Sequence, residues 1–188
     1  MKHVLFFLFC IVVAVSCSRH DSAPDQTKQA YDQLHGKYKV VSSVSNEAAD
    51  ANLDGTATSN MLSELSELAD CDLEVRIVGK DNFLLVQFWP QQFVGYGPAP
   101  ADYDPSVVVN YARQAVARKF SLNATQHTIQ VNADPDPKPD MLLFPFPASV
   151  TIEGDDTIQV VISKKLYTSA GWKIVDITTL YHRYTMRT

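Results

Sequence analysis

Gly36-Lys37-Tyr38-Lys39-Val40-Val41-Ser42-Ser43-Val44 decides the fold. By alternation Tyr38, Val40 and Val44 share one face and Lys37, Lys39 and Ser43 the other, the pattern of a half-buried strand. The signature recurs. Leu73, Val75 and Ile77 alternate with Asp72, Glu74 and Arg76, and the turn residues Gly79-Lys80-Asp81-Asn82 lead into 83–89, apolar on both faces, so an antiparallel hairpin is expected. Segments 120–122 and 128–131 flank Asn123-Ala124-Thr125-Gln126 as a second hairpin, and 149–152 pairs with 157–164 across Glu153-Gly154-Asp155-Asp156. After Thr168-Ser169-Ala170-Gly171 a long run, 172–184, ends the pattern. Residues 107–119 fit two templates: Val108, Tyr111, Ala112 and Ala115 at helical spacing, or Val107, Val109 and Tyr111 in alternation, with strand preferred for the ends. The sum is eight or nine strands joined mostly by short turns.

Between them lie breakers and one short helix. Met61, Leu62, Leu65 and Leu68 recur at helical offsets with Glu64 and Glu67 pointing outward and Thr58 or Ser59 as cap, placing a helix near 59–69. Residues 27–34 accommodate one or two helical turns with Ala30 and Leu34 on one side. Pro90, Gly95, Gly97, Pro98, Pro100 and Pro105 argue against a long element over 90–106. Asp134-Pro135-Asp136-Pro137-Lys138-Pro139-Asp140 reads as an extended surface loop, and Pro145 and Pro147 confine 141–146 to an edge or a bulge. Consecutive antiparallel strands close most simply into an up-and-down barrel, because closure removes the sheet edges. An eight-stranded barrel either fills with side chains or holds one small ligand. Tyr38, Phe83, Trp89, Phe120 and Trp172 are the expected inward set, and their bulk suits either outcome.

The first residues are of another kind. Lys2 gives a positive start, residues 4–15 are uninterrupted apolar, and small Ala14 and Ser16 precede Cys17, the layout of a secretory signal. That run is too short to span a bilayer, which takes roughly 18–20 residues. A cysteine in this place resembles the lipobox of bacterial lipoproteins, whose chemistry bonds a diacylglycerol to the thiol, cleaves before it and acylates the new amine. The resemblance implies a signal peptide over 1–16, a lipidated Cys17 beginning a flexible tether over 17–34, and a domain over 35–188. The partner is then a membrane of the bacterial cell envelope. Ser18 stands where an aspartate would favour inner-membrane retention, so the outer membrane is expected. The alternative is an ordinary signal peptide whose Cys17 enters a disulfide.

Composition excludes several classes. Without Lys2, 15 basic side chains face 21 acidic ones, and the basic residues are scattered, which does not suit nucleic acid. Of three cysteines, Cys10 leaves with the signal and Cys17 takes lipid, so Cys71 is alone and reads as a small buried residue. Asp50-x-Asn52-x-Asp54-Gly55 matches the first half of a calcium loop, with oxygen donors at positions 1, 3 and 5 and glycine at 6. Position 12 is Met61 rather than glutamate, and Glu64 comes three residues late. The competing reading is an Asx-rich turn that starts the helix. The histidines show no metal spacing, and no Gly-x-Ser-x-Gly, His-Glu-x-x-His or phosphate loop exists, so no catalytic residue is assigned and a non-enzymatic protein is expected.

Gly36-Lys37-Tyr38, opening the first strand after a helical turn, is similar to the Gly-x-Trp that begins lipocalins, and the strand, the Asp-x-Asn-x-Asp-Gly stretch and the acidic helix together resemble lipocalin-like domains of bacterial lipoproteins. The resemblance implies a lipocalin-like (calycin-type) β-barrel in which Tyr38 plugs the closed end and Arg183, in Tyr181-His182-Arg183-Tyr184, packs over it. It further implies binding of a small, mostly apolar ligand. A solid-core module that docks a protein through loops 90–106 and 133–140 is the alternative.

Overall fold

The computed structural model describes residues 26–80, 82–97, 99–123, 125–132, 145–154 and 156–188. The signal, Cys17, the start of the tether and the proline-rich loop lie outside the described residues. Helix α1 (Gln26–Leu34) precedes β1 (Gly36–Ala49); then follow β2 (Thr58–Asn60), α2 (Met61–Glu64), a 3-10 turn (Leu68–Asp70), β3 (Asp72–Ile77), β4 (Phe83–Val94), β5 (Val109–Asn123), β6 (Thr128–Val131), β7 (Pro147–Gly154), β8 (Thr157–Thr168) and β9 (Gly171–Thr185). All pairings are antiparallel, and β9 returns to β1, so β1 and β3 to β9 form a closed ring of eight strands with β2 added on the far half of β1. The mainly β, up-and-down barrel expected from alternation is present, and its coarse topology is of the lipocalin type. Of residues 107–119, 109–119 resolve as strand and merge with 120–122 into β5.

Four local readings change, each for a physical reason. On β1 the register against β9 passes from Val40↔Tyr181 to Ser42↔Leu180, so Val41 is one residue too many. This bulge reverses the alternation. Ser43 and Ser45 become buried while Val44 is exposed, the opposite of the simple period-2 assignment. Ser43 then meets Thr179 across β9, hydroxyl to hydroxyl at 2.8 Å.

The breaker-rich segment yields its first five residues to β4, which runs through Pro90 to Val94. Pairing with β3 stops at Leu73↔Gln87, so β4 is locally an edge where the missing proline N–H costs no ladder bond on that side. Third, the helix near 59–69 is one turn plus the 3-10 turn. Asn60, not Thr58 or Ser59, caps it by accepting the Leu62 N–H, and Glu67 takes a left-handed φ of 68° that breaks the helix. Met61, Leu65, Leu68 and Cys71 still face the core. Glu64, expected outside, is buried at 1% exposure. Fourth, Trp172 belongs to the outer face of β9, one residue off the inward series Val175, Ile177 and Tyr181; its indole N–H donates to Pro100 O at 2.8 Å.

Helix α1 packs by Ala30 and Leu34 into the same core as Tyr38, Leu73 and Tyr181, as the helical spacing at 27–34 predicts. One seam is thin. β6 and β7 share a single Cα pair, Thr128↔Thr151, supported by Ile152 N–H donating to His127 O. Because β6 pairs only with 120–123, the longer part of β5 has no neighbour on that side among the described strands.

Candidate functional site

Tyr38 and Arg183 are register partners on β1 and β9 at the α1 end. The Tyr38 hydroxyl donates to Leu34 O at 2.7 Å, which joins the barrel to the last turn of α1. Burial raises its pKa to about 12, and the nearby Arg183 guanidinium opposes that rise. Arg183 Nη1 donates to Asp32 O at 3.3 Å and His35 O at 3.2 Å, carbonyls at the helix C-terminus where a cation is favoured. Its other nitrogen pairs with Asp156 at the β7–β8 turn. Gly36 makes this possible: a Cβ there would lie 2.4 Å from Thr185 O and 2.9 Å from the Arg183 stem. The two residues singled out for barrel closing thus lie side by side, and Arg183 also borders an open cleft of about 610 Å³ whose lining includes Leu34, Leu122 and Ile152.

His35 completes this end. Its Nδ1 accepts the Ile77 N–H at 3.1 Å and its ring stacks on Tyr31 with centroids 4.2 Å apart. Burial first, and Arg183 second, hold its pKa below the usual value. The acceptor geometry requires Nδ1 to be unprotonated.

At 50–55 the oxygens face backbone N–H groups. Asp50 Oδ1 accepts from Asp54 N and Oδ2 from Gly55 N, Asn52 Oδ1 accepts from Asp54 N, and Asp54 Oδ1 accepts from Thr56 N, at 2.8 to 3.1 Å. Glu64 turns toward the loop, where Oε2 accepts from Ala51 N at 2.8 Å. Met61, at the twelfth position, is in the core. Among the described residues no three His, Cys, Asp or Glu side chains converge to hold an ion. The arrangement is that of nested Asx turns fastened by a buried carboxylate.

The interior is apolar with a polar band that strand-by-strand reading passed over. On β4, Leu85, Gln87, Trp89 and Gln91 share the inward face; on β8, Lys164 sits between Ile162 and Leu166. Lys164 is fully buried and its Nζ donates to Gln91 Oε1 at 3.0 Å. Gln87 Nε2, Trp89 Nε1, Gln114 Oε1 and Tyr181 Oη make no hydrogen bond within the protein. Burial pushes the Tyr181 phenol far up. The signal was legible: two glutamines and a lysine at inward parity inside apolar strands. Cys71 is buried and its thiol is raised to about 12, so it is no nucleophile.

No protein-family model, curated protein or solved structure matches the chain. The class therefore rests on topology and interior: a closed antiparallel eight-stranded barrel, with Tyr38, Arg183 and α1 bonded together at one end and an inner wall both apolar and hydrogen-bonding.

Proposed function

We propose that this is a lipoprotein of the bacterial cell envelope, held by lipid on Cys17, whose lipocalin-like barrel binds a small, mostly apolar ligand without transforming it. The anchor reading rests on the sequence around Cys17. The binding reading is supported chiefly by one observation, a wall of Leu, Ile, Val and aromatic side chains carrying unpartnered polar atoms. Ligand sites combine an apolar lining with a few placed polar groups. Radiolabelled palmitate should enter the wild-type chain and fail to enter Cys17→Ser. Native mass spectrometry of protein incubated with envelope lipid extract should show a recurrent adduct; repeated recovery of the bare mass would end the binding reading.

A protein-docking module is the second reading, favoured by Tyr96, which is 97% exposed, with Phe93 and Tyr103 also exposed around the 95–106 segment. Aromatic side chains anchor interfaces. Crosslinking in cells should then yield a protein adduct that disappears when 95–106 is trimmed.

A further inference from the structure

The four unpartnered atoms form one band. Gln87 and Trp89 are successive inward residues of β4, Gln114 is the register partner of Trp89, and Gln87 lies near enough to the Tyr181 hydroxyl to temper the rise that burial imposes there. No hydrogen bond of ordinary geometry forms between those two side chains. The next inward residue, Gln91, behaves differently: both ends of its amide are bonded, to Lys164 Nζ and to Gln92 O. A native core satisfies nearly all its buried polar atoms, so several adjacent exceptions call for a reason.

Three of the four are donors: the Gln87 amide N–H, the Trp89 indole N–H and the Tyr181 O–H. Their complement is a group rich in acceptors. The wall beside them is more open to solvent. Ala112 is exposed and Gln114 and Val116 half-buried, although they pair with the buried Gln91, Trp89 and Gln87 and share their inward face. This is where β5 lacks a described neighbour.

We infer that the ligand bears a carboxylate or carbonyl head, admitted over the inner face of β5 and held by Gln87, Trp89 and Tyr181, with its apolar remainder against Leu85 and Val116. The inference rests on the apolar-ligand reading and adds head-group selection to it. The full chain holds two tryptophans, so Trp172→Phe leaves Trp89 as sole reporter. In that background, octanoate and octan-2-one should shift Trp89 emission saturably, and octyltrimethylammonium should bind at least about tenfold more weakly, the worth of one good hydrogen bond. Octanoate against octan-2-one separates carboxylate from carbonyl. Gln87→Leu should weaken octanoate about tenfold while leaving the urea midpoint unchanged or higher, because an apolar group replaces an unsatisfied one. A lower midpoint with unchanged binding would make Gln87 structural and overturn the inference. Equal binding of all three probes overturns the head-group claim and leaves the apolar-ligand reading standing. If no probe binds, both fall.

Discussion

Replacing Arg183 by Met tests how the α1 end is held. The methionine keeps an apolar stem over Gly36 and removes only the guanidinium, whose side chain is 13% exposed. Two charge-assisted bonds to the Asp32 and His35 carbonyls are lost; at 3.2 and 3.3 Å they are long, so about 1.5 kcal/mol each, the low end for bonds to a charged group, is a fair value. The pair with Asp156 adds roughly 0.5 kcal/mol, since that carboxylate is 42% exposed and screened by solvent. The total is about 3.5 kcal/mol. For a domain of this size that is roughly 7–14 °C in Tm. Urea unfolding should show a lower midpoint at unchanged slope. Limited proteolysis should cut first within α1, because its last carbonyls have lost their donor. Asp156→Asn serves as the control and should cost about 0.5 kcal/mol or less. If Arg183→Met costs no more than that control, the helix-terminus bonds contribute nothing and the account of the closed end fails.

Gly36→Ala should destabilise by about 3 kcal/mol or more, since its Cβ would meet backbone Thr185 O at 2.4 Å and its φ of 149° strains an L-residue; thermal unfolding checks this. His35 gives a pH signature. Its folded pKa is lowered, so the unfolded chain binds more protons: stability is full above about pH 6.5, falls as pH drops from there through the folded pKa, and then levels. Urea midpoints between pH 8 and 5 should show that fall, and His35→Asn should flatten it. Glu64→Ala strips the acceptor from the buried Ala51 N–H and from the less covered Asn52 N–H and should cost about 2–3 kcal/mol by urea unfolding, against about 1 kcal/mol for removing the Asn60 cap. Peptide mapping after iodoacetamide should find Cys71 unmodified in the native protein and modified in denaturant, because burial holds the thiol near pKa 12.

The barrel was legible because its evidence is periodic. Inward residues on β3, β8 and β9 follow strict alternation, and turn residues fixed the hairpins β3–β4, β5–β6 and β7–β8. What the pattern missed are departures from periodicity that depend on a partner strand. Val41 looks like any β-branched strand residue, and only the register against β9 shows it to be an extra one. Pro90 looked like a terminator because nothing local tells that β3 ends opposite Gln87. Glu64 looked solvated because a helical wheel assigns faces without knowing that the 50–55 loop folds back to offer it two N–H donors. In each case tertiary pairing overrode a sound local preference.

The two halves of the site differ in the same way. The match of Tyr38 with Arg183 comes from the resemblance to lipocalins, and a closed up-and-down barrel gives it a physical ground, because closure brings the first and last strands together. The interior band has no such rule behind it. Gln87, Gln91 and Lys164 break the apolar series of their strands, and a polar residue at an inward position is costly unless something answers it. Lys164 and Gln91 answer each other, 73 residues apart. Gln87 lies beside the Tyr181 hydroxyl, yet neither of them nor Trp89 Nε1 makes a hydrogen bond of ordinary geometry within the protein. A wall built only to be filled would gain stability by making Gln87 a leucine, as large apolar residues occupy the inward positions on either side of it. Retaining an amide there costs folding free energy, which is the physical ground for expecting a partner from outside the chain.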